Sequence, residues 1–463
     1  MTTTKDMTQG SVWKNIIYFA IPIFISNLFQ QLYNSVDSLI VGNFVSKQAL
    51  AAVSSSGNLI FLFNGFITGT AMGAGVLIAK YFGSKNYSDM KKAIHTDIAF
   101  GLTSSLLLTI LGTGLSRYML IWMGTAEDVL PESITYFTIY FLGVTGIIMY
   151  NILSGIMQAV GNSRRPLYYL IFASCLNVLL DLLFVAVFKW GVAGAAFATG
   201  ISQLCSSIMC LIYLMKKGTI YQVEFKEIRF YKNMITQILK YGIPSGIQNS
   251  VIAIANVFVQ SNINSFGSDA MAGCGTYSKL EGFAFLPITS FNLSITTFVG
   301  QNLGAKEYKR AKEGSKFAII TSMILAELIG VIFFFTIPYL ARLFNDDEVV
   351  ISYAVSQCRI ECFFYCLLAF AHCVAAVCRG AGKAIVPMII MLAIWCVLRV
   401  IYIYCALSIS HTIELIFWAY PLTWGISSVI FLFYFLFSDW VHGFDKKKKK
   451  DKITDDNDGT SLV

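Results

Sequence analysis

The sequence is poor in charge and in proline. Asp, Glu, Lys and Arg make up 13% of the 463 residues, and only 8 residues are proline. Soluble proteins carry about 25% charged residues, whereas here hydrophobic residues reach 56% and the mean hydropathy is +0.66. The scarcity of charge excludes a soluble globular domain, and 37 Phe and 23 Tyr exclude a disordered chain. The composition is typical of a polytopic membrane protein.

Two chemical signatures are also missing. The stretch CRGAGKA (378–384) superficially resembles a phosphate-binding loop but lacks the GxxxxGK[ST] spacing. The cysteines form no nearby CxxC pairs, and five of the 11 lie in one apolar helical pattern: Cys358, Cys362, Cys366, Cys373 and Cys378. Free thiols in such a pattern behave as small hydrophobic side chains. We therefore expect no ATP-driven motor, disulfide framework, metal cluster or cofactor.

Long apolar runs fill most of the chain. A membrane-spanning helix needs about 20 mostly apolar residues. The sequence contains twelve such runs, near residues 14–43, 54–82, 92–120, 132–161, 166–188, 192–215, 236–264, 275–301, 312–340, 351–380, 387–408 and 412–438. We expect an all-α membrane protein with twelve transmembrane helices.

Basic residues alternate between the loops that join these runs. Every second loop is rich in Lys and Arg, with representatives at Lys85, Arg165, Lys226, Arg310 and Lys383. The intervening loops carry few basic residues and add acids such as Asp346. Because cytoplasmic loops collect Lys and Arg, the pattern predicts a multi-pass protein of the plasma membrane with both termini in the cytoplasm. The net charge of +8 then reflects topology, and we expect no nucleic-acid partner.

The two halves of the chain repeat each other. KYFGSKNYSDMKKA (80–93) parallels QNLGAKEYKRAKEG (301–314), AVGNSRRP (159–166) parallels GAGKAIVP (380–387), and Pro22 aligns with Pro244. Both halves enter from the same side, so the pattern predicts two parallel-repeat six-helix lobes, residues 1–225 and 226–440. Residues 441–463 are charged and lack apolar periodicity, which predicts a disordered cytoplasmic tail whose lysines interact with membrane lipid.

Polar residues interrupt two of the apolar runs. In the first run, Gln30, Asn34 and Asp37 recur at helical spacing. In the fifth run, Asn177 and Asp181 are four residues apart and share one face. At about 1.5 Å per residue, Asp181 lies about 24 Å from Arg165 and Asp37 about 35 Å from Lys14. Both acids therefore lie in the outer half of the membrane, within one lobe, and we expect them to meet.

Two neighbouring carboxylates in a medium of low dielectric cannot both stay ionised without a cation. Oxygen ligands favour hard cations, so Asp37, Asn177 and Asp181 with a nearby hydroxyl would suit Na⁺, and a shared proton would suit H⁺. The hydroxyl candidate is Thr199, on a small-residue face with Gly191 and Ala195 that permits close helix packing. These four polar residues are the predicted cation-coupling site.

The paired halves and three motifs together resemble the multidrug and toxic compound extrusion (MATE) family. The motifs are IPIFISNLFQQLYNSVDSLIVG (21–42), GSKNY (83–87) and NVLLD…AGAAFAT (177–181 and 193–199). The resemblance implies a secondary antiporter, not an enzyme, that exports amphipathic or cationic organic compounds in exchange for Na⁺ or H⁺ by alternating access. It also implies a cation site at Asp37, Asn177, Asp181 and Thr199.

The resemblance does not decide whether the carboxy-terminal half holds a second cation site. One branch of that family places acids on the seventh and tenth spans, whereas the seventh span here has none. The tenth span offers one acid, Glu361, beside Arg359, and its role stays open. We expect structural roles for three other charged residues: Glu281, Glu327 and Arg399. Candidate substrate-binding residues, chosen for aromatic, Met or amide character, are Gln30, Tyr33, Asn34, Met149, Phe283 and Phe291. Small organic molecules are the expected partners, and we expect a monomer.

Two alternatives remain at the level of the sequence. A flippase of lipid-linked precursors would have the same repeat architecture, but it would need a basic inner cavity, and the basic residues other than Arg359 and Arg399 fall in loops. An intramembrane aspartyl protease would use Asp37 and Asp181 as base and acid. The Gly-x-Gly-Asp context of such proteases is missing around both acids.

Overall fold

Helices alone make up the regular structure of the described chain, which in this computed structural model comprises residues 5–122, 125, 127 and 129–445. Eleven helices are long and apolar enough to cross a membrane, and a bent pair makes a twelfth. In chain order they are α1 (Val12–Phe44), α2 (Lys47–Gly83), α3 (Tyr87–Trp122), α4 (Leu130–Leu142 and Val144–Ala159), α5 (Arg164–Val187), α6 (Val192–Leu214), α7 (Lys232–Asn264), α8 (Ser268–Gly304), α9 (Tyr308–Arg342), α10 (Glu348–Gly380), α11 (Ile385–Ile409) and α12 (Glu414–Phe437). The predicted twelve-helix membrane fold is confirmed.

Two local features of the backbone recur at equivalent positions of the two halves, in agreement with the repeat predicted from the sequence. The bend of 47° in α4 at Gly143 has its counterpart in α10, where a 3₁₀ turn at Cys362–Phe364 interrupts the helix at the repeat-equivalent position. Lys85 and Lys306, equivalent residues in the α2–α3 and α8–α9 turns, both adopt a positive φ, at 56° and 62°. Because such a conformation is uncommon outside glycine, its recurrence supports the assignment of two related halves.

The lobes exchange the first turns of their first helices. Ile16 and Phe19 of α1 lie in the hydrophobic core of the carboxy-terminal lobe. Met234 and Ile238 of α7 lie in the core of the amino-terminal lobe. The opposite ends of the two helices pack within their own halves. The boundary at 225/226 stays a prediction, and α1 and α7 connect the lobes.

The lobes meet at the end of the bundle where α1 begins, called here the basic face because it carries the Lys- and Arg-rich loops. Two glycine pairs approach closely: a Cβ on Gly73 of α2 would overlap the backbone of Gly242 of α7, and one on Gly69 would overlap that of Gly246. This small-xxx-small pattern on both helices lets their backbones come close.

Both ends of the described part of the chain pack on the basic face. Met7 is fully buried and its N–H donates to Oε1 of Gln301, while the N–H of Lys5 donates to the carbonyl of Gly161. Val441 is buried, and the predicted disorder of the tail beyond Asp445 lies outside the described residues.

Candidate cation site and central cavity

Two acids from separate helices meet inside the amino-terminal lobe. Asp37 on α1 is 7% exposed and Asp181 on α5 is fully buried. Their carboxyl groups lie within hydrogen-bonding reach of each other. Directly after Asp181, α5 changes from α-helical to π-helical geometry over Leu182–Val187. Such π turns are frequent at functional sites.

Asn177 and Thr199 complete the group. Asn177 lies one helical turn before Asp181, on the same face of α5, and its side-chain amide donates to Oγ1 of Thr199 on α6 at 3.4 Å. Both residues are buried. The structure therefore brings together all four residues of the predicted cation site, and their role stays a prediction.

The site contains more acceptors than donors. Four oxygen atoms here are buried without a donor among the described residues: Oδ1 of Asp37, Oδ1 of Asn177 and both carboxyl oxygens of Asp181. Buried acceptors without partners are costly and therefore rare. A proton held between the two carboxyl groups would satisfy two of these oxygens, and a cation among the four would satisfy all of them. The described residues contain no cluster of three or more His, Cys, Asp or Glu side chains, so this donor set is unlike a transition-metal site.

Aromatic and amide side chains cover the acids. Tyr33 lies one turn before Asp37, and Gln203 of α6 donates to its hydroxyl at 3.3 Å. Tyr136 of α4 is buried and close enough to both carboxyl groups to interact with them electrostatically. Sequence reasoning missed Tyr136, since no spacing relates α4 to α1, whereas Gln203 lies four residues after Thr199 and helical periodicity could have found it.

A cavity of about 390 Å³ lies between the two lobes. It is lined from both halves, by α1, α2, α4 and α5 on one side and α7, α8 and α10 on the other. The size is within the range of small-molecule sites, about 300–1,000 Å³. Gln30 lines this cavity and is within hydrogen-bonding reach of Tyr33, so a polar contact joins the cavity to the surroundings of Asp37.

The other predicted substrate residues are scattered. Asn34 is exposed, and Phe283 of α8 is half-buried. Met149 lies in the core of the amino-terminal lobe beside Gly101, and Phe291 lies in the core of the carboxy-terminal lobe. Their assignment rested on residue type alone, and it stays a prediction.

A second polar cluster lies in the carboxy-terminal lobe. Glu361 is fully buried; it accepts from Tyr277 at 3.2 Å and from Gln357 at 2.9 Å. Glu281 also lies beside Tyr277. Arg399 donates to Thr423 at 2.9 Å and is close enough to Glu281 and Glu361 to interact electrostatically. The counter-charge of Arg399, which the sequence left unidentified, is therefore this pair of glutamates.

This geometry, two six-helix lobes around a central cavity with a polar site buried in one lobe, is typical of a membrane transporter. Comparison with known families agrees. The MatE family model matches residues 22–183 and again 244–405, once in each lobe. The chain belongs to this family of multidrug efflux transporters.

Individual relatives and solved structures agree with this placement. The chain is 27% identical over 447 residues to the probable multidrug resistance protein YoeA of Bacillus subtilis (strain 168), covering 94% of this chain and 96% of that protein. It is 24% identical to the multidrug export protein MepA of Staphylococcus aureus (strain N315), covering 75% and 76%. A transporter of the MOP superfamily from Pyrococcus furiosus shares the fold with a TM-score of 0.89 at 21% identity, over 96% of this chain and all of that one.

Proposed function

We propose that this protein exports amphipathic organic compounds, among which the sequence predicts cations, in exchange for Na⁺ or H⁺. The observation that carries the proposal is the buried contact between Asp37 and Asp181, with four acceptor oxygens that lack donors. Two such carboxyl groups need a proton or a cation between them. An ion that enters and leaves this site would supply the free energy for export, about 2.3 kcal/mol for each unit charge that crosses 100 mV.

Alternating access follows from the way the lobes touch. The backbones of Gly73 and Gly242 are in contact between the two lobes. Rocking of one lobe against the other would separate these backbones. Because Asp37 and Gln30 lie on the same helix, a change in α1 when the ion binds would reach the cavity. Ion and substrate would thus bind to different sites and influence each other through α1.

The orientation and assembly belong to the same proposal. The basic face is the cytoplasmic one by the positive-inside rule, so both termini are cytoplasmic and the protein acts as a monomer in the plasma membrane. The cavity in this conformation is closed toward the cytoplasm.

The alternatives have less support. A flippase of lipid-linked precursors would need several basic groups for its phosphates, and Arg379 is the single Lys or Arg among the described residues that line the cavity. A protease would need a peptide to reach Asp37 and Asp181, and both are buried. We therefore propose no enzymatic activity.

The test is efflux from proteoliposomes under Na⁺ and H⁺ gradients imposed separately. We expect one of the two gradients to drive dye export and the other to have little effect. Export at the full rate with both gradients collapsed would refute ion coupling. Peptide cleavage that either Asp37→Asn or Asp181→Asn abolished would support the protease.

A further inference from the structure

The central cavity carries positive charge that no described residue balances. Arg379 on α10 lines the cavity and is only 8% exposed. Within the described part of the chain its guanidinium makes no ion pair and no hydrogen bond, and its buried Nε has no acceptor. None of the described residues that line the cavity is Asp or Glu.

The other buried arginine of this lobe shows what a structural arginine requires. Arg399 donates to Thr423, lies 4.5 Å from the ring centroid of Tyr420, and has two glutamates nearby. Arg379 has none of these partners among the described residues. A buried cation without partners is strongly unfavourable, so water or a bound anion has to satisfy the donors of Arg379.

Only the carboxy-terminal half carries a charged residue at this position of the repeat. Gln158 is the equivalent of Arg379, and it lines the same cavity from α4. The two halves therefore present an amide and a guanidinium to one space, and the lining is positive on the carboxy-terminal side and neutral on the other.

We propose that the central cavity binds amphipathic molecules that carry an anionic group, such as a carboxylate or sulfonate, and that Arg379 receives this group. The planar guanidinium offers paired N–H donors that match a carboxylate. The rest of the molecule would lie against the apolar side chains of the lining, among them Ile23, Leu170 and Ile252. This inference rests on the proposed export function and departs from the predicted preference for cations.

The test compares two dansyl probes with the same linker, one ending in a carboxylate and one in a trimethylammonium group. Fluorescence anisotropy of the purified full-length protein measures the affinity for each probe. We expect the carboxylate probe to bind at least tenfold more tightly than the ammonium probe. Arg379→Gln should weaken carboxylate binding tenfold to a hundredfold and leave ammonium binding unchanged or improved, and Arg379→Lys should weaken it less.

Two further variants complete the design. Gln158→Arg, which places a second guanidinium at the repeat-equivalent position, should strengthen carboxylate binding even if Arg379→Gln fails to fold. Arg359→Gln removes an exposed arginine from the same helix and should change neither affinity. Equal affinity of the wild-type protein for both probes, or an unchanged carboxylate affinity in a folded Arg379→Gln variant, would overturn the inference.

Uptake by proteoliposomes separates this inference from the proposed function. A carboxylate probe that binds but does not move under any ion gradient would refute export and leave the inference standing. A gradient that drives the ammonium probe while the carboxylate probe fails to bind would refute the inference and leave ion-driven export standing.

Discussion

The side-chain amide of Asn177 on α5 donates to the hydroxyl of Thr199 on α6 at 3.4 Å, and the buried amide oxygen of Asn177 has no donor among the described residues. The bond orients Asn177 so that its acceptor belongs to the candidate cation site. In the proposed site Thr199 would act in two ways: it would offer its own oxygen to an ion, and it would hold the amide in place.

Asp37→Asn or Asp181→Asn should lower ion-driven efflux about 100-fold. The loss of one charged ligand should weaken ion binding by about 2–3 kcal/mol, which corresponds to a change of this size. The amide keeps the volume of the acid but removes the charge that attracts an ion. Efflux from proteoliposomes under the driving gradient measures the effect, and thermal unfolding of each variant checks the fold. The matched control is Asp97→Asn, a buried acid on α3 outside the site. Efflux by either site variant at the wild-type rate would contradict the assignment.

Asn177→Ala and Thr199→Ala should have smaller effects. Each removes one neutral ligand, so we expect about a tenfold higher ion concentration for half-maximal efflux, which corresponds to about 1.4 kcal/mol. The maximal rate should stay close to that of the wild type. Thr199→Ser keeps the hydroxyl and should restore ion affinity, because only the hydroxyl oxygen is required. A Ser variant as impaired as the Ala variant would show that packing, and not the ligand, matters here.

Gly73→Leu should prevent the lobes from closing at the basic face. A side chain at this position overlaps the backbone of Gly242, so the conformation described here would become inaccessible. We expect a longer mean distance between spin labels on Lys85 and Lys306, two exposed residues of that face, and transport reduced at least about tenfold. Gly114→Leu on α3 is the control, since a side chain there meets nothing within 4 Å. Unchanged label distances in Gly73→Leu would mean that the helices accommodate the side chain.

Arg310→Ala should also destabilise the conformation in which the lobes touch at the basic face, here by removing hydrogen bonds to the amino-terminal segment. This arginine of α9 donates to the carbonyls of Met7, Gln9 and Gly10, while Lys5 holds the amino-terminal lobe through Gly161. Loss of these bonds should shift the closed–open equilibrium by about 1–3 kcal/mol, a 5- to 150-fold change.

The same pair of spin labels measures this shift, because the population with the longer distance should increase. Arg342→Ala, which breaks an exposed ion pair with Glu348 at the other end of α9, should leave the distances unchanged. If both variants behave alike, the amino-terminal segment does not hold the lobes together.

Much of the fold was predictable because its determinants are local. Twelve apolar runs predicted twelve helices with ends that differ by only a few residues, except for α2 and α8, which each begin seven residues earlier. The bend at Gly143 was not predicted, because a glycine in an apolar run does not reveal a break in the helix. The exchange of the first turns of α1 and α7 between lobes was also missed, since hydrophobic periodicity does not identify the partner of an apolar face.

The candidate site was likewise predictable only in part from the sequence. Helical spacing alone placed Asn177 and Asp181 on one face of α5, and the repeat aligned Gln158 with Arg379. Matching depths in the membrane predicted that Asp181 and Asp37 meet. Tertiary structure decided that Tyr136 lies close to both, that Arg379 lines the cavity, and that Arg399 lies near two glutamates. The reason is geometric. The period of a helix determines which residues share a face, whereas the rotation and crossing of neighbouring helices, which depend on packing along their whole length, determine what that face contacts.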